Sequence, residues 1–323
     1  MSQEKKCPVC GSGKRSVVHA KENINTTWFQ CGGCSLVYQG SGKGGARADE
    51  KYYRSGQMRE AILCRYGDPG SVTPEAAFEE KYPLQWERFL KVKDLLRSDS
   101  SLLEIGCGAG GFLHIVAPRT GDYAGVELDK EMADFCRSRL RLKVHDQLLS
   151  EIDFGKKKFD LVCMFHVLEH FADPKSFLAQ VKKLLKPSGR LVIEVPCFDE
   201  ALFQVFPLKK YADLYFTPHH ELYFTPSSLE RLLVECGFQG ELSPFNEYGM
   251  ANHLNWIQND SPVPGASRQS GRGLQISSYK KSERNTAFIN HLNCWLRDKN
   301  VEYKDLLGAY GFHDTIFCVA DRD

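Results

Sequence analysis

The sequence predicts an α/β protein with a doubly wound, seven-stranded sheet and a small four-cysteine module at its N-terminus. Strand-like and helix-like segments alternate from about residue 75 to residue 250, which is the pattern of a parallel sheet. A glycine-rich turn at 106–111 joins the first of these strands to a helix. Two Cys-x-x-Cys pairs lie before residue 40 and set the N-terminal module apart from the sheet.

Length and composition exclude several classes of protein. The 323 residues, 42% of them hydrophobic, suffice for one large core and a smaller module. A net charge of +1 gives no overall attraction to nucleic acid or to an anionic membrane. No apolar run is long enough to span a bilayer, and residues 1–6 lack the apolar core of a signal peptide. We therefore expect a cytoplasmic protein.

The N-terminal module rests on the pairs Cys7/Cys10 and Cys31/Cys34. Each Cys-x-x-Cys pair forms a tight knuckle that presents two thiolates to one tetrahedral ion, so we expect a zinc ribbon. Four thiolates leave no open position on the ion, which favours a structural zinc. Redox-active pairs are the alternative, but no βαβ pattern surrounds these cysteines. The other eight of the twelve cysteines are expected to be structural thiols.

The remaining elements follow from apolar patterns. Apolar residues at helical spacing predict a first helix from about 74 to 97, and short apolar runs bounded by turn residues predict the strands. The predicted strands lie near 101–106, 122–127, 142–145, 159–164, 190–195, 238–246 and 315–320. The later helices are expected near 110–117, 129–140, 173–186, 225–236 and 285–298. The helix at 173–186 is expected to stop at Lys-Pro-Ser-Gly (186–189), and Thr225 followed by Pro226 is a favourable helix start.

These elements suggest a division into domains. The segment after the zinc ribbon begins with glycines and contains Tyr52 and Tyr53, which either fold over a ligand or pack the linker onto the main domain. The expected domains are a zinc ribbon (1–40), a linker or lid (41–75) and a main domain (76–323) with an insertion at about 251–311.

The glycine turn and two carboxylates indicate a ligand site. Ligands bind beyond the carboxyl ends of strands in such sheets, and the glycines let the backbone approach them closely. Glu104 ends the first strand and Glu127 ends the second. A carboxylate at Glu127 can accept both hydroxyls of a ribose, whereas Glu104 suits a cationic amino acid group better than a pyrophosphate. A dehydrogenase is disfavoured because Glu104 precedes the turn, where a pyrophosphate would have to bind.

Taken together, the ordered motifs resemble those of class I S-adenosylmethionine (SAM)-dependent methyltransferases, which have a Rossmann-like fold. The matching motifs are Leu103-Glu104-Ile105-Gly106-Cys107-Gly108-Ala109-Gly110, Gly125-Val126-Glu127, Phe159-Asp160-Leu161-Val162, His166-Val167-Leu168-Glu169-His170 and Leu185-Lys186-Pro187-Ser188-Gly189-Arg190. The resemblance implies that SAM is the cofactor, with Gly106 and Gly108 near its methionine part, Glu127 at the ribose and Asp146 near the adenine amino group. The full set of implied SAM contacts is Glu104, Gly106, Cys107, Gly108, Gly110, Glu127, Leu128, Asp146, Gln147, Phe165 and His166.

The four-cysteine module makes the chain similar, more narrowly, to sugar C-methyltransferases of antibiotic pathways. The segment 219–224 resembles their stretch rich in histidine and glutamate, in which a histidine is the general base. The resemblance implies a small-molecule acceptor, such as a nucleotide-linked sugar or another natural-product or glycan intermediate. By this resemblance His220 is the general base, Glu221 or His219 orients it, and His166 lies close to the cofactor.

Other readings of the polar residues remain open. The sequence His166-x-x-Glu169-His170 resembles a metal-binding helix but lacks the full His-Glu-x-x-His spacing, so we interpret Glu169 and His170 as bracing a loop. Residues Asn252, His253 and Asn255 are expected to pack the insertion onto the domain. The basic segment at 268–284 either meets a phosphate or is a solvated loop, and solvation is the default.

Two further functions are compatible with the sequence. One is O- or N-methyl transfer to an unrelated small acceptor. The other is a binding protein, in which a zinc ribbon and a SAM fold recognise nucleic acid or a protein without catalysis. The few basic residues near the ribbon make a nucleic-acid partner unlikely.

Overall fold

The computed structural model describes residues 5–40, 54–57, 73–261 and 282–323. Within them, the strands are β1 (Arg15–Lys21), β2 (Thr26–Cys31), β3 (Val37–Gln39), β4 (Ser101–Ile105), β5 (Asp122–Val126), β6 (Val144–His145), β7 (Phe159–Phe165), β8 (Leu185–Pro196), β9 (Leu222–Tyr223), β10 (Phe238–Phe245) and β11 (Thr315–Arg322). The α-helices are α1 (Pro74–Val92), α2 (Gly111–Val116), α3 (Lys130–Ser138), α4 (Pro174–Leu184), α5 (Ala201–Gln204), α6 (Lys209–Tyr215), α7 (Pro226–Glu235), α8 (Met250–Asn259) and α9 (Glu283–Ala309).

Seven strands form the central sheet in the order β10-β11-β8-β7-β4-β5-β6. The pairs among β4, β5, β6, β7 and β8 are parallel, whereas β11 pairs antiparallel with both β8 and β10. β4 is the middle one of these five parallel strands, and because all five run in the same direction their carboxyl ends lie at one edge of the sheet. The predicted doubly wound, seven-stranded α/β fold is confirmed.

A second, four-stranded sheet has the order β1-β2-β3-β9. Its first three strands belong to the cysteine module, and β9 comes from the long connection between β8 and α7. The strand β9 was not predicted. A strand as short as β9 carries no periodicity, and it exists because Tyr38 and Leu222 pair across the two parts of the chain.

The apolar core extends from the central sheet into the cysteine module. One buried cluster contains Leu103 and Val195 of the central sheet together with Val9 and Leu36 of the module. A second cluster on the sheet includes Phe112 of α2. The shared core fixes the module against the sheet, while the proposed domain limits at 40 and 75 stay predictions.

Two element limits differ from those expected. The expected stop of a helix at 186–189 is wrong, because α4 ends at Leu184 and β8 runs through these residues. The pairing of β8 with β7 is interrupted here, between Phe159 and Leu161. Lys186 donates to Asp160 Oδ2 at 2.7 Å, and a Cβ on Gly189 would lie 2.8 Å from the Phe159 carbonyl oxygen. The last helix, α9, is longer than the predicted 285–298.

Several other expectations can be located on the structure. Thr225 caps α7 as predicted, since its hydroxyl accepts from the Ser228 N–H at 3.2 Å. The residues Asn252, His253 and Asn255 lie on α8, which was not predicted. Apart from 54–57, 73–75 and 282–284, the linker at 41–75 and the basic segment at 268–284 lie outside the described residues. In the described part of the chain, no helix combines the length and apolar character that crossing a membrane requires.

Candidate functional site

The glycine turn between β4 and α2 forms the floor of the site. Gly106, Gly108 and Gly110 all have positive φ, at 74°, 53° and 77°. A Cβ on Gly106 would lie 2.5 Å from Val167 Cγ2, and a Cβ on Gly110 would lie 2.7 Å from Cys136 Sγ, so neither position accepts a side chain. A Cβ on Gly108 would meet nothing within 4 Å, which shows that this part of the turn borders open space.

The Glu127 carboxylate faces the turn from the end of β5. Its Oε2 accepts a hydrogen bond from the Gly108 N–H at 2.7 Å, and its Oε1 accepts from the Asp129 N–H at 2.8 Å. Asp129 in turn caps α3 through its own carboxylate. The following residue, Leu128, is half-buried. These bonds hold the carboxylate beside the open space at Gly108, where a ligand hydroxyl could reach it.

The Glu104 carboxyl is buried and lacks a full set of partners. Its side chain lies at the end of β4 and is 3% exposed, yet its Oε2 accepts no hydrogen bond. Burial raises the pKa of Glu104 well above its usual range, although the charge of Arg88 opposes this. Buried carboxyl oxygens are nearly always hydrogen-bonded. Glu104 Oε2 can therefore accept a hydrogen bond from a ligand, and a cationic ammonium group would donate one.

Asp146 and Gln147 follow β6 on the same edge of the sheet. Asp146 Oδ2 accepts from Arg137 NH2 at 3.1 Å, and its carbonyl oxygen accepts from Arg54 NH1 at 2.7 Å. Partial burial alone would raise the pKa of Asp146, but the hydrogen bond and charge of Arg137 outweigh burial and lower the pKa below its usual value. The carboxylate is therefore ionised at neutral pH. Gln147 is exposed. Both residues border the side of the site opposite to β8.

A buried ion pair that the sequence analysis missed lies beneath the turn. Arg88 of α1 donates through Nε to Glu194 Oε1 of β8 at 2.9 Å, and its NH2 contacts the same oxygen. The two residues are 8% and 1% exposed. The guanidinium also lies 4.6 Å from the centre of the buried Phe165 ring. One signal for Glu194 was available, since a charged residue inside the apolar run 191–195 is unusual in a buried strand.

His166, the first residue after β7, is held in an uncommon conformation. Its φ is 55°, which costs a non-glycine residue on the order of 1–2 kcal/mol. Its N–H donates to the Glu194 carbonyl at 2.8 Å. The imidazole Nε2 lies 3.4 Å from Glu194 Oε1, and Nδ1 lies 3.3 Å from Glu169 Oε1. Burial lowers the pKa of His166, but the two carboxylates outweigh it and raise the pKa to about 10.

The loop that carries His219, His220 and Glu221 is tied to the cysteine module. The Gln39 N–H donates to the Glu221 carbonyl at 2.9 Å, and Trp28 Nε1 donates to the His220 carbonyl at 3.4 Å. The Glu221 carboxylate accepts from Lys5 Nζ at 3.2 Å. The Glu221 carboxylate thus pairs with Lys5, whereas the His220 ring lies 5.3 Å from the Tyr223 ring and close to a side chain of another loop.

That other loop follows β7 and contains Glu169 and His170. The rings of His170 and His220 have their centres 5.0 Å apart, and His170 Nδ1 lies 2.8 Å from the His219 carbonyl oxygen. Glu169, His170 and His220 each offer one ligand atom, and these atoms lie within 4.8 Å of one another. The structure thus joins two segments that the sequence analysis treated separately.

The four predicted cysteine ligands converge in the module. Their sulfur atoms lie within 4.8 Å of one another, with Cys7 and Cys34 at 3.6 Å and Cys10 and Cys31 at 3.3 Å. Tetrahedral coordination at a Zn–S distance of about 2.3 Å places the sulfurs about 3.8 Å apart, so the cluster fits one zinc ion. The contact between Cys7 and Cys34 lowers the pKa of the Cys7 thiol to about 5 and raises the pKa of the Cys34 thiol, so this pair favours one thiolate in the absence of an ion. The described cysteines form no disulfide.

A family comparison covers the sheet and its glycine turn. The sequence model of one family, described as a methyltransferase domain, matches residues 78–242. This match spans more than half of the 323 residues and includes Glu104, Glu127 and His166. The chain belongs to the methyltransferase domain family. The methyltransferase domain therefore contains the glycine turn, both strand-end carboxylates and the two histidine-bearing loops.

Individual relatives of the methyltransferase domain are distant. The O-methyltransferase cnsE of Penicillium expansum is 28% identical over 151 residues, or 43% of this chain and 51% of that protein. The ubiquinone biosynthesis O-methyltransferase of Hydrogenovibrio crunogenus is 24% identical over 149 residues, or 43% of this chain and 62% of that protein. The chain thus spans about half to three fifths of these relatives. A solved SAM-dependent methyltransferase from Archaeoglobus fulgidus is 21% identical, with a TM-score of 0.48, over 77% of this chain and 99% of its own.

Proposed function

We propose that this methyltransferase domain transfers a methyl group from SAM to a small-molecule acceptor. The observation that carries the proposal is the buried Glu104 carboxyl, whose Oε2 lacks a hydrogen-bond donor beside the glycine turn. An amino acid ammonium group supplies such a donor, whereas a pyrophosphate does not. Membership of the methyltransferase domain family supports the same conclusion.

The residues at the strand ends have distinct roles in holding SAM. We assign Glu104 to the ammonium group, Gly106 and Gly108 to the methionine part, Glu127 to the ribose hydroxyls and Asp146 to the adenine. The bonds from Gly108 and Asp129 hold the Glu127 carboxylate beside open space, which supports its assignment. The assignment also includes Cys107, Gly110, Leu128, Gln147, Phe165 and His166, which line the same edge of the sheet.

Methyl transfer needs an aligned acceptor that loses a proton. The bound cofactor supplies an activated methyl group, and the protein must place the acceptor in line with it and assist the loss of the proton. We assign this assistance to His220, with His219 and Glu221 holding its loop. Histidine suits proton removal near neutral pH. A nucleotide-linked sugar, or another natural-product or glycan intermediate, is the acceptor class that we propose.

The four cysteines are proposed to hold a structural zinc ion that braces the His220 loop. The supporting contacts run from the module to that loop, through Gln39 to Glu221 and through Trp28 to His220. Because β9 pairs with β3, this edge of the module is occupied by the protein's own chain and not by a partner. This favours an internal, structural role over recognition of nucleic acid or of a second protein.

Replacing Cys31 with serine tests the zinc proposal. We expect the zinc content to fall by about one ion per chain, because a tetrahedral structural site loses one of four ligands. The measurement is metal analysis of the purified protein by mass spectrometry. Cys236→Ser is the control, since this half-buried cysteine lies outside the cluster and should leave zinc bound. A fully folded wild-type protein without zinc would refute the proposal.

Replacing Glu104 with glutamine tests the SAM site. Burial keeps the Glu104 carboxyl protonated where a free glutamate is ionised, and an ammonium ligand favours the carboxylate. Cofactor binding should therefore release a proton, and affinity should rise as the pH rises toward the raised pKa. Calorimetry in two buffers of different ionisation enthalpy measures this release. The variant should bind SAM about 10- to 100-fold more weakly, without proton release.

The exposed Glu230 on α7 provides the matched control for Glu104. Glu230→Gln should bind SAM with unchanged affinity and unchanged proton release. Transfer of an isotope-labelled methyl group from SAM to a panel of nucleotide sugars and other small acceptors then tests the activity. If the wild-type protein binds no SAM, the proposed function is wrong.

A further inference from the structure

We propose that Glu169, His170 and His220 bind a divalent cation on the acceptor side of the methyl-transfer site. The sequence analysis interpreted Glu169 and His170 as braces of a loop, because their spacing lacks the full metal-binding pattern. The structure changes this interpretation by supplying a third ligand from a distant segment. The role of this cation in methyl transfer rests on the proposed function, whereas cation binding itself can be tested without measuring activity.

The first observation is the state of Glu169. Its side chain is 0% exposed, and neither carboxylate oxygen accepts a hydrogen bond. The nearest recorded charge is His166, whose Nδ1 lies 3.3 Å from Glu169 Oε1 without hydrogen-bond geometry. His166 supplies part of the compensating charge, but the unmade hydrogen bonds of a buried carboxylate still cost free energy. A cation beside it removes that cost.

The second observation is the orientation of His170. Its Nδ1 lies 2.8 Å from the His219 carbonyl oxygen, and a carbonyl can only accept, so Nδ1 carries the proton. In this tautomer the lone pair is on Nε2. Histidines that bind metals commonly donate their other N–H to a carbonyl or carboxylate in this way. The His219 carbonyl thus fixes both the tautomer and the direction of the His170 ring.

The third observation is how His220 reaches the cluster. His170 and His219 are 49 positions apart in sequence, and the His170 bond to His219 brings the two loops together. Trp28 and Gln39 of the cysteine module hold the same loop from its other side. With His220 in place, one carboxylate atom and two imidazole nitrogens lie within 4.8 Å of one another.

The ligand set indicates the class of cation. Two imidazoles and one carboxylate suit divalent zinc, manganese or iron, whereas a soft thiolate site is already present at the four cysteines. Three protein ligands leave at least one coordination position open. This distinguishes the Glu169 site, which can take a substrate atom, from the closed cysteine site, which cannot.

An open position next to the methyl donor site favours an acceptor with a hydroxyl oxygen. A divalent cation lowers the pKa of an oxygen ligand, so the hydroxyl proton leaves to solvent. The oxygen then forms a bond to the methyl carbon while the carbon–sulfur bond breaks, and its electron pair stays on the sulfur. In this arrangement His220 assists proton loss as a ligand of the cation, not by accepting the proton itself.

Manganese binding tests the cation site without any substrate. Mn²⁺ prefers oxygen and nitrogen ligands over thiolates, so it reports the Glu169 site while zinc remains at the cysteines. We expect the full-length wild-type protein to bind about one Mn²⁺ per chain, measured by the loss of the free-ion electron paramagnetic resonance signal. Glu169→Gln and His170→Asn should each weaken binding by at least about ten-fold.

The control is His291→Asn, an exposed histidine on α9, which should bind Mn²⁺ like the wild type. Retained zinc and an unchanged melting temperature show which variants are folded, and His170→Asn serves if Glu169→Gln does not fold. The inference is overturned if the wild type binds no Mn²⁺, or if the folded Glu169 or His170 variant binds it equally well. SAM binding is measured on the same samples. A protein that binds SAM but not Mn²⁺ contradicts the cation site alone, whereas a wild type that binds no SAM contradicts the proposed function.

Discussion

Replacing Arg88 with methionine is expected to lower the free energy of unfolding by about 3–5 kcal/mol. Removal of one partner from a buried ion pair leaves the other charge poorly compensated, and Glu194 would keep only the more distant His166 imidazole as a counter-charge. Glu194 is 1% exposed, and Arg88 contacts its Oε1 through two nitrogens. Burial alone would raise the pKa of Glu194, but Arg88 and His166 hold it well below its usual range. Chemical denaturation at pH 7 measures the loss.

A double variant separates the lost ion pair from lost packing. If the uncompensated charge causes the effect, adding Glu194→Gln to Arg88→Met should restore part of the stability, because the buried charge is then gone. The surface pair of Arg190 and Asp321, at 2.8 Å, provides the matched control. Arg190→Met should change stability by about 0–1 kcal/mol, since both side chains are well exposed. Equal effects of the two methionine substitutions would contradict the proposed burial cost.

The Arg88 prediction also concerns the site. Glu194 lies 3.4 Å from His166 Nε2, and its carbonyl accepts the His166 N–H. The ion pair thus stabilises a residue in the left-handed region at the point where the predicted cofactor and acceptor sites meet. Strained residues persist only where their surroundings over-determine them. Weaker SAM binding by a folded Arg88 variant would therefore be expected.

Replacing His220 with alanine is expected to lower kcat by about 10²- to 10⁴-fold while SAM still binds. The variant loses the side chain that assists proton loss, whereas the residues assigned to SAM lie on the strand ends and the glycine turn. The measurement is single-turnover methyl transfer with saturating SAM. Full turnover by this variant would show that His220 has no role in proton loss.

The Mn²⁺ affinity of the same His220 variant distinguishes its two possible roles. A ligand of the cation should show a loss of binding together with the loss of turnover. A general base that does not bind the cation should lose turnover and keep the wild-type Mn²⁺ affinity. His291→Ala, far along α9 and exposed, is the control for nonspecific effects of removing an imidazole.

Much of the fold follows from local patterns in the sequence. The alternation of apolar runs and amphipathic segments predicted all seven strands of the central sheet, and the glycine turn was placed correctly between β4 and α2. The errors lie where tertiary contacts override local signals. The helix expected to reach residue 186 ends at Leu184, because Leu185 pairs with Phe159 of β7 and so begins β8.

The site was predictable to the extent that strand ends define it. Glu104 and Glu127 follow apolar strands, so their meeting at one edge of a parallel sheet could be inferred. Arg88 was missed because a helical arginine is usually solvated, and only packing shows that it faces Glu194. The role of Glu221 remains a prediction, and Lys5 is the partner that its carboxylate has in the structure.

The sequence by itself determined the order of the elements, the glycine turn and the four cysteines of the module, because spacing and residue type over short stretches specify them. The tertiary structure alone decided that Glu169, His170 and His220 form one cluster and that β9 completes the sheet of the cysteine module. These features depend on contacts between residues far apart in the chain, such as Gln39 and Glu221. Burial and long-range hydrogen bonds create these features, and neither can be predicted from a local sequence pattern.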